Sequence, residues 1–146
     1  MLGNSNKTER EKDREAVKII DLATVKEYAD GAVIELPPFS AGQPFVARVR
    51  RPSMLRMVSD GTFSNPLLET VNILFNGDDE DRKKQTENPE NMKNMYSVLE
   101  TLAESMLVEP TVEQLHEKGL ELTDEQLMFL YMYQQRGALV LKSFRK

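Results

Sequence analysis

Phe45-Val-Ala-Arg-Val-Arg-Arg-Pro-Ser-Met-Leu-Arg-Met-Val-Ser59 changes its hydrophobic period partway along, and that change decides the fold class. Up to Arg50 the residues alternate. Phe45, Ala47 and Val49 point one way, Arg48 and Arg50 the other, as in a strand with one buried face. From Pro52 the pattern becomes helical. Pro52 is placed like a first-turn proline, residues 53 to 59 read as a short helix, and Gly61 ends it. With the elements on either side, this predicts a mainly helical α+β protein: a β-hairpin packed on a small bundle of about five helices.

Upstream, Ala32-Val-Ile-Glu-Leu36 is rich in β-branched residues and supplies the other strand. Between the strands lies Pro37-Pro-Phe-Ser-Ala-Gly-Gln-Pro44. Its three prolines and glycine predict a long irregular loop. Before the hairpin, Leu22, Val25 and Ala29 sit at helical spacing and Gly31 is a stop signal, whereas residues 3 to 15 are almost wholly polar. The expected organisation is therefore a charged arm at 1–18 and one α+β domain at 19–146.

Downstream, Asn65-Pro66 reads as a cap and first-turn proline for a helix carrying Leu67, Leu68, Val71, Leu74 and Phe75. Residues 78–91, opening Asp-Asp-Glu-Asp, are charged and polar and read as a mobile acidic loop. Met92, Met95, Leu99, Leu102 and Met106 mark a helix from about Pro89 to Leu107. Thr111-Val-Glu-Gln114 and Thr123-Asp-Glu-Gln126 are capping boxes, each opening a helix that a glycine closes. Residues 138–145 form a short apolar tail with a basic finish.

Composition removes several classes of function. A net charge of −5 repels phosphate backbones, which argues against nucleic acid as a partner. The absence of cysteine excludes disulfides, Cys-ligated zinc and thiol catalysis. No apolar run approaches the ~20 residues that cross a bilayer. The start of the chain lacks a signal-peptide core, so no membrane role is expected and the cytoplasm is the expected location.

Motifs for chemistry are missing. His116 stands on a short helix beside Glu117 and Lys118. Asp78–Asp81 lacks the ligand spacing of a calcium loop, and Gly42 has no phosphate-cradle context. No catalytic residue, cofactor or metal ligand is expected, and the chain reads as a non-enzyme. Arg48, Arg50, Arg51 and Arg56 cluster in sequence. They are either a patch for phosphate or an acidic partner, or a solvated face partly paired with Glu35 across the hairpin.

Methionine is the more informative residue. There are eight, and Met54, Met57, Met92, Met95, Met106, Met128 and Met132 all fall in helical segments. Flexible thioethers suit surfaces that accept varied apolar partners, and they also fill irregular cores. The run Leu127–Tyr133 is apolar nearly all round. Met128, Phe129, Met132 and Tyr133 are accordingly the candidate protein-binding residues, the competing reading being a helix buried at the centre of the bundle.

Three blocks in the first half carry a resemblance: Val33-Ile-Glu-Leu-Pro-Pro-Phe39, Pro44-Phe-Val-Ala-Arg-Val-Arg-Arg-Pro-Ser-Met-Leu55 and Gly61-Thr-Phe-Ser-Asn-Pro-Leu-Leu68. Three more close the chain: Leu122-Thr-Asp-Glu-Gln126, Tyr133-Gln-Gln-Arg-Gly137 and Leu141-Lys-Ser-Phe-Arg145. Together they resemble the XkdN-like phage tail assembly chaperones of Gram-positive phages and prophages, over roughly Thr24 to Arg145. The chain departs at Gln135-Arg136, where a smaller, glycine-rich step is expected.

The resemblance implies a protein that coats the long tape measure protein in the bacterial cytoplasm, helps recruit tail tube subunits, and leaves before the virion is mature. It also implies that this is the shorter of two translation products. Apart from the resemblance, the apolar Leu127–Tyr133 run makes self-association a further expected mode. The alternative is a structural tail or connector component retained in the particle.

Overall fold

In the computed structural model, which describes residues 17–137, the hairpin closes far more tightly than its prolines predict. β1 (Ala32–Ser40) and β2 (Gln43–Val49) run antiparallel and are joined by Ala41 and Gly42 alone. Gly42 has φ +80°, the left-handed region that a two-residue turn requires. Leu36 faces Phe45 and Ser40 faces Gln43, so Pro37, Pro38 and Phe39 stand opposite Pro44 alone. Proline has no N–H to give a ladder, and a bulge is where that loss costs least. The expected long loop is thus a bulged continuation of both strands.

The alternation read from the sequence holds. Ile34, Leu36, Phe45, Ala47 and Val49 are buried, while Val33 and Val46 face the other way and are exposed. A third strand, β3 (Leu107–Glu109), pairs antiparallel with β2, giving the order β1-β2-β3. Three residues carry no readable period, so this strand is not among the elements expected from the sequence.

Seven α-helices occur among the described residues, with the sheet making a mainly helical α+β fold. α1 (Leu22–Asp30) belongs to a compact unit that ends at Asp30, and the second unit begins at Gly31, later than the expected division after residue 18. Asp21 caps α1 by accepting from the Thr24 amide at 2.8 Å and its hydroxyl at 2.9 Å. Those bonds, the backbone one first, hold the Asp21 carboxyl below its usual pKa. No residue of α1 is buried.

In the second unit, α2 (Met54–Ser59) is capped by Ser53, and a 3₁₀ turn (Asn65–Leu67) leads into α3 (Leu68–Asn76). Asn65 and Pro66 therefore sit inside the turn, not at the start of the α-helix as expected. α5 (Pro89–Met106) is the long helix, capped by the Asn88 side chain on the Asn91 amide at 2.7 Å. α6 (Val112–Glu117) and α7 (Asp124–Arg136) each start with the capping box foreseen.

The acidic segment needs correcting. Residues 79–84 form a helix, α4 (Asp79–Lys84), opened by a reciprocal capping box between Asp78 and Asp81. Its three acidic residues come first and its three basic ones last, matching the helix dipole at both ends. No residue of α4 is buried. Residues 1–16 and the apolar tail at 138–146 lie outside the described residues.

The core of the second unit gathers around α5 and α7. Val98, Leu102 and Met106 from α5, Phe129 and Leu130 from α7, Val49 from β2 and Phe63 are each 2% exposed or less. Full burial of side chains this size stabilises by roughly 1.5–3 kcal/mol each before entropy is counted. α7 packs on α5 and on β1, and its Tyr131 meets Phe75 of α3 edge-on at 5.3 Å.

Candidate protein-binding surface

Four side chains of α7 were the candidates, and the packing divides them. Phe129 is 1% exposed and Tyr133 6%, their rings near-parallel at 6.3 Å. Met132 is half-buried and Met128 is 42% exposed. α7 is apolar nearly all round because it lies between α5, α3 and β1, which is the central-helix reading. Phe129 and Tyr133 cannot meet a partner without opening the core. Met128 and Met132 can.

The start of α7 is fastened to the hairpin by Gln126, which is fully buried. Its Oε1 accepts from the Thr123 amide at 3.0 Å, completing the capping box, and its Nε2 donates to the Pro37 carbonyl at 2.8 Å. Pro37 lies in the bulge, where its carbonyl is free of the ladder. Both ends of the amide are used, as a buried amide requires. In sequence Gln126 read only as a cap, because nothing local reveals the bond to Pro37.

At its other end, α7 is fastened by Arg51. The guanidinium donates to the Gln134 carbonyl through Nε at 3.2 Å and Nη2 at 2.9 Å, and Gln134 Nε2 returns a bond to the Pro52 carbonyl at 3.0 Å. The arginine cluster works this way more than once. Arg50 Nε donates to the Ser105 carbonyl in the last turn of α5 at 2.9 Å, and Arg48 Nη1 to Gly31 O at 3.2 Å. Arg82 does the same for α3: its Nε reaches the Leu74 carbonyl, which also accepts from the Tyr131 hydroxyl. Carbonyls of a last helical turn have no partner within the helix, and a cation there also suits the dipole. Arg50, Arg51 and Arg82 therefore each close a helix end. Arg48 bonds a backbone carbonyl in place of the expected pairing with Glu35, and Arg56 is exposed.

Met128 has neighbours that make a surface. Asp124, Met128 and Met132 follow one another at four-residue steps along one face of α7. On α5, which packs against α7, Met92 is 49% exposed and Tyr96 42%, again four residues apart. The Tyr96 hydroxyl bonds Glu100, and that bond, followed by desolvation and the charges of Glu100, Glu121 and Asp124, pushes its pKa up to about 12. Tyr96 therefore lies within electrostatic reach of the first turn of α7, and Met92 and Tyr96 on one helix and Met128 and Met132 on the other belong to two helices that pack together. Of the expected α5 methionine stripe, Met106 is wholly buried, Met95 half-buried and Met92 free to meet a partner.

The single histidine is exposed. An open cavity of about 740 Å³ between α5 and α6 is lined by Glu104, Thr111, Val112, Glu113, His116 and Glu117. Among the described residues, no three His, Asp or Glu side chains are grouped so as to hold a metal ion. Among the same residues, no helix is long and apolar enough to cross a membrane. The chain matches no family model, no curated protein and no solved structure.

Proposed function

We propose that this protein is a phage tail assembly chaperone, a non-enzymatic factor that binds the tape measure protein and helps recruit tail tube subunits in the host cytoplasm. The observation that carries the reading is the resemblance of the six sequence blocks to that family. Their joining in the fold supports it. Pro37 and Gln126, from blocks at opposite ends of the chain, are bonded although 89 positions apart, and Arg51 and Pro52 are bonded to Gln134. Four of the blocks are thus joined in pairs by hydrogen bonds, as expected if they belong together.

On this reading the binding surface is the pair of stripes across α5 and α7: Met92 and Tyr96, with Met128 and Met132. Methionines flanking an aromatic give wide apolar contact and tolerate imperfect fit, which suits coating a long partner with many local sequences. The acidic charge around them, from Glu100, Glu121 and Asp124, favours basic or neutral segments.

The experiment is co-expression with a candidate tape measure protein, read by pull-down and by the soluble fraction. Met128→Asp and Tyr96→Asp are expected to keep helix content and melting point while losing capture. Phe129→Asp is expected to unfold the domain. Full capture by both surface variants removes this surface, and failure of the unaltered protein to bind or solubilise the tape measure protein removes the function. Retention of the protein in purified mature particles would make it a tail or connector component instead.

A further inference from the structure

A second apolar surface involves α2 and α3. Met54, Leu55 and Val58 of α2 and Val71 and Phe75 of α3 line an open groove of about 420 Å³, whose wall at one end is Gln134 and Gln135 of α7. Leu55 is 85% exposed and Val58 39%, which makes Leu55 the most exposed large apolar side chain described in the unit beginning at Gly31. The volume falls in the ~300–1,000 Å³ range of sites that enclose a ligand-sized apolar group.

We propose that the groove is the seat of this chain's own C-terminal segment, residues 138–146. Covalent continuity points to it. Gln134 and Gln135 wall the groove, and the segment departs from Gly137, two residues further on. The point of departure is held at the entrance to α2. Gln134 is bonded to Arg51 and Pro52, the two residues before the Ser53 cap, and a Cβ on Gly137 would lie 2.6 Å from Arg51 Nη1.

The segment reads Ala-Leu-Val-Leu-Lys-Ser-Phe-Arg-Lys, with Leu139, Val140, Leu141 and Phe144 to bury. Lys142, Arg145 and Lys146 put positive charge on the end of a chain whose net charge is −5. Nine residues reach up to about 30 Å when extended, whereas six helical residues such as α2 span about 9 Å, so the length suffices. A segment already tethered at the mouth of the groove has an effective concentration that a separate molecule rarely matches.

The absence of cysteine permits a clean test in the whole 146-residue chain. Leu55→Cys, and separately Val58→Cys in case the first change disturbs α2, are labelled with a thiol reagent. Each is compared with the same variant also carrying Leu141→Asp and Phe144→Asp. Met128→Cys is the control for general exposure, and circular dichroism confirms folding. The groove thiol is expected to react about tenfold more slowly with the natural tail than with the altered one, as when nine molecules in ten have the segment seated. That ratio should not depend on protein concentration, and the control should not respond to the tail. Equal rates with both tails overturn the proposal. Protection that fades on dilution also overturns it and assigns the groove to a second copy of the chain. Neither measurement involves the tape measure protein, so this inference and the proposed function succeed or fail separately.

Discussion

Replacing Gln126 tests the joint between hairpin and bundle most directly. Gln126→Ala removes two bonds at once, and their loss is unequal. The Pro37 carbonyl loses its donor inside the protein, and an unsatisfied buried acceptor costs about 1–3 kcal/mol. Half the capping box goes as well, a loss of about 0.5–1 kcal/mol at a helix start. The space left by the amide adds to both. The sum, about 2–4 kcal/mol, lowers the melting temperature by roughly 8–16 °C if a domain of this size shifts about 4 °C per kcal/mol. Thr123→Ala is the internal control. It removes Oγ1, which accepts from the Gln126 amide at 3.1 Å, but leaves the bond to Pro37, so it should cost only about 1 kcal/mol.

Gln126→Glu gives the pH signature. A carboxylate there would face the Pro37 carbonyl with no proton to share and with no exposure to water, so its folded pKa rises above the unfolded value of about 4.3. The protonated acid can donate as Gln126 Nε2 does. Stability of this variant is therefore greatest below about pH 4.3 relative to the unaltered protein, and falls as pH rises through the raised pKa. Urea denaturation at several pH values reads all three variants. A Gln126→Ala cost no larger than that of Thr123→Ala, together with a Gln126→Glu deficit that does not grow with pH, would refute the joint.

Three further outcomes follow from the geometry. Gly137→Ala should destabilise by about 1–3 kcal/mol, measured by denaturant unfolding, because φ +61° with ψ −134° is a glycine conformation and the new Cβ meets Arg51. Amides of Asp79–Lys84 should exchange with little protection although helical, since no side chain of α4 is buried; protection equal to that of α5 would contradict this. Spectrophotometric titration should find a tyrosine ionising near 12, and Glu100→Gln should return it toward 10, because the bond to Glu100 is the main cause of its shift.

What was legible in the sequence was local. The alternation at Phe45–Val49 gave the strand and its buried face, and the two Thr-x-x-Gln boxes gave the starts of α6 and α7, because both signals lie within a few residues. α4 carries local signals too, in the Asp78-x-x-Asp81 spacing and the acid-before-base order, but a segment with no apolar residue to bury reads as a loop. The bulge at Pro37–Phe39 was hidden because proline content signals a loop wherever it occurs, and only the partner strand shows that the extra residues are absorbed sideways. β3 exists only through pairing with Arg48 and Val49. At the candidate site, the unusual character of α7 was visible but its meaning was not. An all-round apolar helix is the same string whether other helices or a partner surround it, and only the packing places Phe129 and Tyr133 inward and Met128 outward.

Arg50 and Arg51 are consecutive, yet one closes the end of α5 and the other the end of α7. A single peptide unit at the exit of β2 is thus a common anchor for the two helices that build most of the core. Fraying of either last turn breaks a bond to this anchor, and with both arginines exposed each such bond adds about 1 kcal/mol against fraying. Release of β2 from the sheet frees both arginines together, so the ends of α5 and α7, 30 residues apart in the chain, then lose this support as one event. In cooperative terms the exit of the strand couples the two helix ends, with Arg50-Arg51 as the shared pin.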